Sequence, residues 1–340
     1  MLEAIGYDPR MAGWAAAADT SVARVVRVDR GVAGVLTEAG PCRAGYGAEV
    51  LAAMAHDPVA APCTGDWCVL RDWPDHRTTL ERVLPRRTAV VRATAGEQSH
   101  GHVLCTNVDY VVVVMSLHPA PVLTRLERLL TLAWDSGAQP VVALTKSDMV
   151  TDGDQIAEEV GAAAPGVEVI CTSTMTGAGV PRLRALVAGR CTLALLGSSG
   201  HGKSSLVNAL VGTEALATRR IRADGRGRHT SVRRELVVLP GGGAVIDTPG
   251  LRGIGLVDAE AGLARTFADV AALTSHCRFA DCSHHGVPGC AVTAALAAGT
   301  LSRRRFESWA KLQREMDEMA RRRDARLRAG RRKTWRQVGR

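Results

Sequence analysis

The octapeptide at residues 197–204 constrains the fold of this chain more than any other feature. It reads GSSGHGKS, follows the apolar run 192–196 and precedes a helical pattern at 205–211. A strand, a G-x-x-x-x-G-K-S loop and a helix in this order are typical of the phosphate-binding loop of an α/β sheet. The glycines let backbone N–H groups turn towards phosphate oxygens, and the positive end of the following helix adds its field.

Two side chains in this loop have specific expected roles. Lys203 is predicted to neutralise the β- and γ-phosphates, and the hydroxyl of Ser204 is predicted to hold Mg²⁺. The expected nucleotide contacts in the loop and the first helical turn are Gly197, Ser198, Ser199, Gly200, His201, Gly202, Lys203, Ser204 and Ser205.

The region from residue 93 to residue 272 alternates apolar runs with amphipathic ones. Strands are predicted at 110–115, 140–144, 167–171, 192–196, 235–239 and 244–246, and helices at 121–134, 154–163, 180–188 and 203–211. Strands this apolar, alternating with helices, indicate a mainly parallel sheet that is covered on both faces. The predicted fold is therefore a three-layer α/β sandwich.

A second motif indicates guanine as the base. Thr145, Lys146, Ser147 and Asp148 follow an apolar strand and match the pattern N/T-K-x-D. The Asp148 carboxylate can accept two hydrogen bonds from the N1–H and N2–H₂ edge of guanine, while the stem of Lys146 packs over the ring. Ser173 and Thr174 follow the next strand and are expected to close the base pocket.

Further phosphate-sensing groups follow the loop along the chain. Asp247 and Gly250 form a D-x-x-G motif at a strand end, where Asp247 can reach Mg²⁺ through water and the Gly250 N–H can meet the γ-phosphate. The polar, glycine-rich segment 225–231 is typical of a loop that the triphosphate orders. Thr230 is the predicted Mg²⁺ ligand there, with Ser231 as the alternative, so the predicted Mg²⁺ groups are Ser204, Thr230 and Asp247.

The order of these motifs is unusual, because the base motifs precede the phosphate loop. A circular permutation explains this order without changing the packed fold, since termini can move between exposed loops. As a consequence, the D-x-x-G segment leads within a few dozen residues into the C-terminal part of the chain.

That part begins with a predicted zinc site. Cys277, Cys282, His284 and Cys290 have the spacing C-x4-C-x-H-x5-C and supply a complete tetrahedral set for structural Zn²⁺, one ion per chain. His285 is the rival for His284, but adjacent residues rarely ligate the same ion. The chain has nine cysteines, an odd number, and the other six are scattered, so a disulfide framework is disfavoured.

Charge and composition distinguish the two ends of the chain. Residues 302–340 hold fifteen Lys and Arg against five Asp and Glu, so this tail carries a net charge of +10 and the rest of the chain carries −1. Residues 304–328 of this tail are predicted to form a strongly charged helix. Such a tail is a candidate for phosphate contacts on nucleic acid, with a solvated helix face as the alternative. Between residues 22 and 92, short β-rich runs separated by turn signals favour a small closed barrel of the OB type.

The chain lacks the sequence signals of a membrane or secreted protein. The longest apolar stretch, 108–117, is interrupted by Asp109 and is shorter than the ~20 residues of a membrane span. Residues 1–10 mix charged residues and proline with apolar ones, unlike a signal peptide. A cytoplasmic protein without a membrane partner is expected, divided into an extension (1–21), a barrel (22–92), a nucleotide domain (93–272) and a metal domain with a basic helical tail (273–340).

The combined motifs resemble one family. TKSD, GSSGHGKSSL, GRGRHTS, DTPG and CRFADCSHHGVPGC occur in this order after a β-rich region with GDW and LPRR, and together they resemble the RsgA family, also called YjeQ or YloQ. The resemblance covers about residues 22–309. It implies an OB domain, a circularly permuted GTPase domain and a zinc domain. It also implies GTP hydrolysis, stimulated by the small (30S) ribosomal subunit during late maturation, in a monomer that contacts 16S rRNA and binds GTP and GDP.

The resemblance also suggests the catalytic residue. Leu251 stands where Ras-like enzymes carry a water-orienting glutamine, so another group must position the water. His229 is the expected residue, because the family is thought to use the matching histidine and a neutral imidazole can orient water or accept a proton. The alternative is that His229 contacts only RNA or solvent.

Four positions depart from the family pattern: Thr145 replaces Asn, Thr174 replaces Ala, His201 replaces Val and Val287 replaces Glu. Thr145 puts one pocket hydrogen bond in question, and a His201 ring near the phosphates predicts a pH-dependent affinity for GTP. An alternative function is a GTP-regulated rRNA-binding module in which hydrolysis is incidental. A third, an ATP-dependent metabolic kinase, is disfavoured by Asp148 and by the lack of an obvious acceptor site.

Overall fold

The computed structural model describes residues 1–93, 101–212, 234–251, 253–284 and 286–338, with side chains as far as Arg322. Two short 3-10 helices, Leu2–Ile5 and Pro9–Trp14, precede the first strand. A barrel, a hairpin, a six-stranded sheet with helices on both faces and a group of C-terminal helices then follow in that order. None of the helices in these described ranges is long and apolar enough to cross a membrane.

The N-terminal barrel is closed and has five strands. They are β1 (Thr20–Asp29), β2 (Val32–Thr37), β3 (Gly40–Tyr46), β4 (Trp67–Asp72) and β5 (Thr78–Val83), with helix α1 (Ala48–His56) between β3 and β4. Their order around the barrel is β1-β2-β3-β5-β4, and β1 pairs with both β2 and β4, which confirms the predicted OB-type barrel. The sequence analysis missed β3, because its glycines and its proline read as turn signals.

A two-stranded hairpin connects the barrel to the main sheet. It consists of β6 (Ala89–Ala93) and β7 (Gly101–Thr106). The predicted domain boundary after residue 92 falls inside β6, and the boundary after residue 272 falls inside a later helix. The division into four units stays a prediction.

The central sheet has the strand order β10-β9-β8-β11-β13-β12 and is parallel except for the edge strand β12. Its strands are β8 (Tyr110–Ser116), β9 (Gln139–Thr145), β10 (Glu168–Cys171), β11 (Thr192–Leu196), β12 (Glu235–Val238) and β13 (Ala244–Asp247). The helices between them are α2 (Leu123–Asp135), α3 (Gly153–Ala163), α4 (Val180–Val187) and α5 (Lys203–Val211). These bounds lie within about two residues of the predicted ones.

Strand β8 shows why the sheet has three layers. Val111 and Val113 point into a core that also contains residues of α2 and α3, whereas Val112 and Val114 point into a second core with residues of α4 and α5. Because successive side chains of a strand alternate between faces, an uninterrupted apolar run is buried only when both faces are covered. The predicted three-layer α/β sandwich is confirmed.

The motifs GDW and LPRR meet where the barrel joins the sheet. Asp66 is fully buried and forms a two-pronged ion pair with Arg86, with both N···O distances at 2.8 Å. Arg24 is also buried and donates to the Asn107 carbonyl at 2.9 Å, with its guanidinium over the ring of Trp67. The bond from Arg24 attaches the barrel to the turn between β7 and β8.

Four helices follow the sheet: α6 (Glu260–Thr266), α7 (Ala268–Thr274), α8 (Ala291–Ala297) and α9 (Arg303–Val338). Helix α9 has 36 residues and extends ten residues beyond the end predicted at residue 328. The predicted boundary after residue 272 lies in α7. The beginning of α9 packs on α2, so the C-terminal helices contact the sheet domain directly.

Candidate functional site

The glycine-rich loop lies between β11 and α5, as its sequence predicts. Gly197 has φ +159° and Gly202 has φ +84°, and Gly202 is the residue from which α5 begins. A Cβ atom on Gly197 would lie 2.4 Å from the carbonyl oxygen of Val114, so no side chain fits at this position. The loop therefore follows a path along β8 that requires glycine.

Lys203 is the first residue of α5, and its buried side chain reaches back into the loop. Its ammonium donates to the carbonyl oxygens of Gly197 (2.9 Å) and Ser198 (2.8 Å). Burial lowers the pKa of Lys203 below its ordinary value, and nearby Asp247 partly opposes this shift. The positive charge thus lies inside the loop that the sequence predicts for phosphate.

The predicted Mg²⁺ groups Ser204 and Asp247 lie together. The Ser204 hydroxyl donates to Asp247 Oδ2 at 3.2 Å, and Asp247 is buried. The contact arises because β11 and β13 are parallel neighbours, with the start of α5 directly above the end of β13. A hydroxyl and a carboxylate at this distance are hard oxygen donors of the kind that Mg²⁺ prefers.

Gly250 packs against the phosphate loop. A Cβ atom at Gly250 would lie 2.6 Å from the backbone nitrogen of Ser199, and the Leu251 N–H donates to the Gly197 carbonyl at 3.1 Å. The D-x-x-G motif and the glycine-rich loop are thus in direct backbone contact, which requires glycine at position 250.

Thr145 connects the base motif to the phosphate loop. Its hydroxyl lies 2.7 Å from the His201 carbonyl and 3.2 Å from the Met115 carbonyl, and either can accept its proton. The side chain is buried at the end of β9. Although Thr replaces the Asn of the family pattern, its hydroxyl forms a hydrogen bond to the loop, and the effect of the replacement on the base pocket stays open.

The remaining base residues lie at the ends of the adjacent strands β9 and β10. Lys146 has a left-handed backbone conformation (φ 61°), and the Ser147 N–H donates to the Thr172 carbonyl at 3.1 Å. Asp148 is exposed at the same edge of the sheet. The Ser173 hydroxyl accepts two backbone N–H groups at 3.2 Å, which shapes the loop that contains Thr174.

The ring of His201 lies against the sheet. Its Nδ1 is 3.1 Å from the Val114 carbonyl, a geometry in which the neutral ring donates to the strand. Burial lowers the pKa of His201, and the nearby cations Arg125, Lys203 and Lys146 lower it further. The neutral form is therefore favoured at pH 7, and the predicted pH dependence of GTP affinity stays a prediction.

The predicted loop 225–231 lies outside the described residues. The roles of His229, Thr230 and Ser231 therefore stay predictions.

The predicted zinc ligands form a compact cluster. The ligand atoms of Cys277, Cys282, His284 and Cys290 all lie within 4.8 Å of one another. The Cys277 and Cys290 sulfurs are 3.9 Å apart, and His284 Nδ1 is 3.6 Å and 3.5 Å from them. Two sulfurs bound at about 2.3 Å to a tetrahedral ion are ~3.8 Å apart, so these distances fit one metal ion.

Local structure supports this arrangement. Cys290 is the residue before α8, and its sulfur accepts the Thr293 N–H at 3.3 Å. Although burial raises it, hydrogen bonds with Thr293 and His284 leave the pKa of Cys290 below its ordinary value. His284 adopts a left-handed backbone conformation, and its ring meets Trp309 of α9 edge-on. His285, the alternative ligand, is outside the described residues.

Two arginines of α2 were not identified from the sequence. Arg125 donates to the Leu251 carbonyl at 2.5 Å, and Arg128 donates to the Ile254 carbonyl at 2.8 Å. They hold the segment that follows Gly250. The sequence feature that could have identified them is their spacing of three residues, which places both side chains on one face of the helix.

Comparisons with known proteins agree with this arrangement. The family model described as RsgA GTPase matches residues 83–257. The small ribosomal subunit biogenesis GTPase RsgA of Streptomyces avermitilis is 48% identical over 320 residues, which cover 93% of this chain and 85% of that protein.

Two solved structures are similar in fold. YjeQ from Thermotoga maritima has a TM-score of 0.64 at 22% identity and covers 87% of this chain and 98% of its own. YloQ, a circularly permuted GTPase, has a TM-score of 0.60 at 24% identity and covers 88% and 96%. These likenesses confirm the predicted permuted architecture.

Proposed function

The chain belongs to the RsgA GTPase family, and on this premise we propose that it hydrolyses GTP to GDP and phosphate on the small ribosomal subunit during late maturation. Hydrolysis promotes release of the protein from the subunit. The Streptomyces avermitilis relative, named a small ribosomal subunit biogenesis GTPase, supports this assignment.

One observation carries the proposal. The glycine-rich loop, the Asp247–Gly250 motif and the base motif at Thr145 are far apart in sequence, yet they contact one another through hydrogen bonds at one edge of the sheet. In a parallel sheet the carboxyl ends of the strands form the ligand-binding edge. This juxtaposition is what recognition of a guanosine triphosphate requires.

Each base residue has a role in the proposed complex. Asp148 accepts the two hydrogen bonds of the guanine edge, Lys146 packs its stem over the ring, and the loop with Ser173 and Thr174 closes the pocket. Adenine lacks this donor pair, so the exposed Asp148 carboxylate selects guanine.

The phosphates lie in the glycine-rich loop, opposite Lys203. Ser204, Thr230 and Asp247 would hold Mg²⁺, with Asp247 acting through water. When bound, Mg²⁺ neutralises charge on the β- and γ-phosphates. His229 orients the attacking water, because Leu251 has no group that can do so.

The Cys₃His cluster holds one structural Zn²⁺ ion. Three thiolates and one imidazole form a closed donor set, typical of structural zinc. A bound ion would tie Cys277, Cys282 and His284 to Cys290, the residue before α8.

The ribosomal contacts are expected on the barrel, the zinc segment and the basic tail. Membership of the RsgA family implies 16S rRNA as their target, and the excess of Lys and Arg on one long helix of the tail suits contacts with phosphates. We expect the protein to act as a cytoplasmic monomer.

The test compares multiple-turnover GTP hydrolysis with and without purified 30S subunits. The proposal predicts slow turnover alone and clear stimulation by 30S subunits, with no competition from ATP. Binding of GTP and of 30S subunits without stimulation would instead support a GTP-regulated RNA-binding module.

Two variants separate nucleotide binding from stimulated hydrolysis. Lys203→Ala is expected to lose nucleotide binding itself, as measured by calorimetry. His229→Ala is expected to bind GTP normally and to lose stimulated turnover. Unchanged stimulated turnover in this variant would remove His229 from the mechanism.

A further inference from the structure

The segment that follows Gly250 is held by side chains from α2. We call the described residues Leu251, Gly253 and Ile254 the switch II segment. The guanidinium of Arg125 donates to the Leu251 carbonyl at 2.5 Å, and that of Arg128 donates to the Ile254 carbonyl at 2.8 Å. Both ends of the segment are therefore attached to one rigid helix.

The neighbouring hairpin holds the middle of the same segment. Arg92 of β6 donates to the Gly253 carbonyl at 3.1 Å, and the Ala93 N–H donates at 2.9 Å to the carbonyl of Gly255, one residue beyond the segment. Since Gly250 also packs on Ser199, a displacement of the switch II segment changes the position of the Gly250 N–H relative to the phosphate loop.

Arg128 makes a second set of contacts on α9. Its two terminal nitrogens donate to the two carboxylate oxygens of Glu315, at 2.6 and 2.8 Å. The Arg128 side chain is only 18% exposed, and its hydrogen bonds lower the pKa of Glu315 below its ordinary value. Paired, charge-assisted bonds of this kind define both distance and orientation.

Helix α9 is attached to α2 at an adjacent residue as well. Glu127, fully buried, accepts bonds from Arg304 and Arg305 at the start of α9. A cleft of about 390 Å³ lies between α2, Ile254 and α9, close to the Arg128–Glu315 pair. The beginning of α9 is therefore fixed, while the cleft leaves space for a shift at Glu315.

We infer that Arg128 is a positioning residue that transmits docking of α9 on the ribosomal subunit to the switch II segment, and so sets the rate of GTP hydrolysis. This inference rests on the proposed function. The physical basis is that one guanidinium binds both the catalytic segment and the ribosome-binding helix, so a shift of α9 at Glu315 is passed to Ile254. The covalent path between the same two points is about sixty residues long and passes through the zinc segment.

The two possible roles of Arg128, stabilising the fold or transmitting docking, predict different kinetics. If Arg128 only stabilises the fold, its loss lowers basal and stimulated hydrolysis together. If it transmits docking, breaking the contact with Glu315 leaves basal hydrolysis intact and lowers only the stimulated rate.

The test measures kcat and KM for GTP in the full chain, alone and with saturating 30S subunits. Glu315→Gln keeps the size of the side chain and removes its charge. We expect the stimulated kcat to fall by about fivefold or more, as is typical of coupling between two sites, while basal kcat and KM stay unchanged. Glu318→Gln is the matched control, because Glu318 pairs only with Arg322 on the exposed side of α9 among the described residues.

A double variant tests the contact itself. If the two residues act through each other, Arg128→Met combined with Glu315→Gln loses no more stimulation than Arg128→Met alone. Full stimulation of Glu315→Gln, or an equal loss of its basal rate, would overturn the inference even if Arg128→Met fails to fold. Absence of stimulation in the wild-type protein would instead contradict the proposed function and the inference together.

Discussion

Among the arginines that attach α9 to the sheet domain, Arg305 is the most buried. Arg305 is 6% exposed. Its guanidinium donates to Glu127 at 3.1 Å, to both carboxylate oxygens of Asp269 at 2.6 and 2.9 Å, and to the Ala163 and Thr266 carbonyls. The substitution Arg305→Met keeps much of the stem and removes every one of these donors.

The loss of stability expected for Arg305→Met follows from the burial of the groups that Arg305 contacts. Removing one member of a buried ion pair costs about 3–5 kcal/mol. Because Arg304 is 40% exposed and still donates two bonds to Glu127, we expect the lower end of this range, about 3 kcal/mol. For a domain of 150–250 residues this lowers Tm by roughly 6–12 °C.

The assay is thermal and urea unfolding of the full chain. Arg322→Met is the control, since Arg322 pairs with Glu318 on the surface, where such pairs contribute about 0–1 kcal/mol. A loss of stability in Arg305→Met that is no larger than in the control would refute this reasoning.

The loss of stability in Arg305→Met should also depend on pH. Burial raises the pKa of Asp269, but the bonds from Arg305 outweigh it and leave the pKa below its usual value of 3.8. A carboxyl with a lowered pKa in the folded state stabilises the protein above its unfolded pKa, and this contribution is lost as the pH falls through the folded pKa. The stability difference between wild type and Arg305→Met should therefore narrow below about pH 4.

Three further predictions concern the proposed sites. Asp148→Asn should weaken GTP binding by about 10- to 100-fold and favour XTP, whose base offers an acceptor to the amide; an unchanged ratio of the two affinities in calorimetry would contradict the assignment. Cys282→Ser should lose the bound zinc measured by plasma mass spectrometry, whereas Cys191→Ser, outside the cluster, should keep it; retained zinc in the first variant would exclude Cys282 as a ligand. Thr145→Val should lower the free energy of unfolding by about 1 kcal/mol, because the His201 carbonyl loses its donor, and equal stability in urea would show that the bond contributes nothing.

Much of the fold was predictable because the relevant signals are local. The run 110–115 predicts a strand buried on both faces, and the loop at 197–204 predicts the turn between β11 and α5. The missed strand β3 has a weak local signal, because it contains glycine and proline. The predicted end of α9 at residue 328 was too early, because a charged helix has no apolar boundary to mark its end.

In the candidate site, too, some features follow from local sequence and others depend on tertiary packing. By itself, the sequence determined which residue types can bind phosphate, guanine and metal, because each motif specifies a backbone turn or donor set within fewer than fifteen residues. Only the tertiary structure decided that Thr145 binds the phosphate loop, that Asp66 pairs with Arg86, and that Arg128 joins Ile254 to Glu315. These partners are 20 to 187 positions apart along the chain, and their distances depend on how whole strands and helices pack rather than on any local pattern.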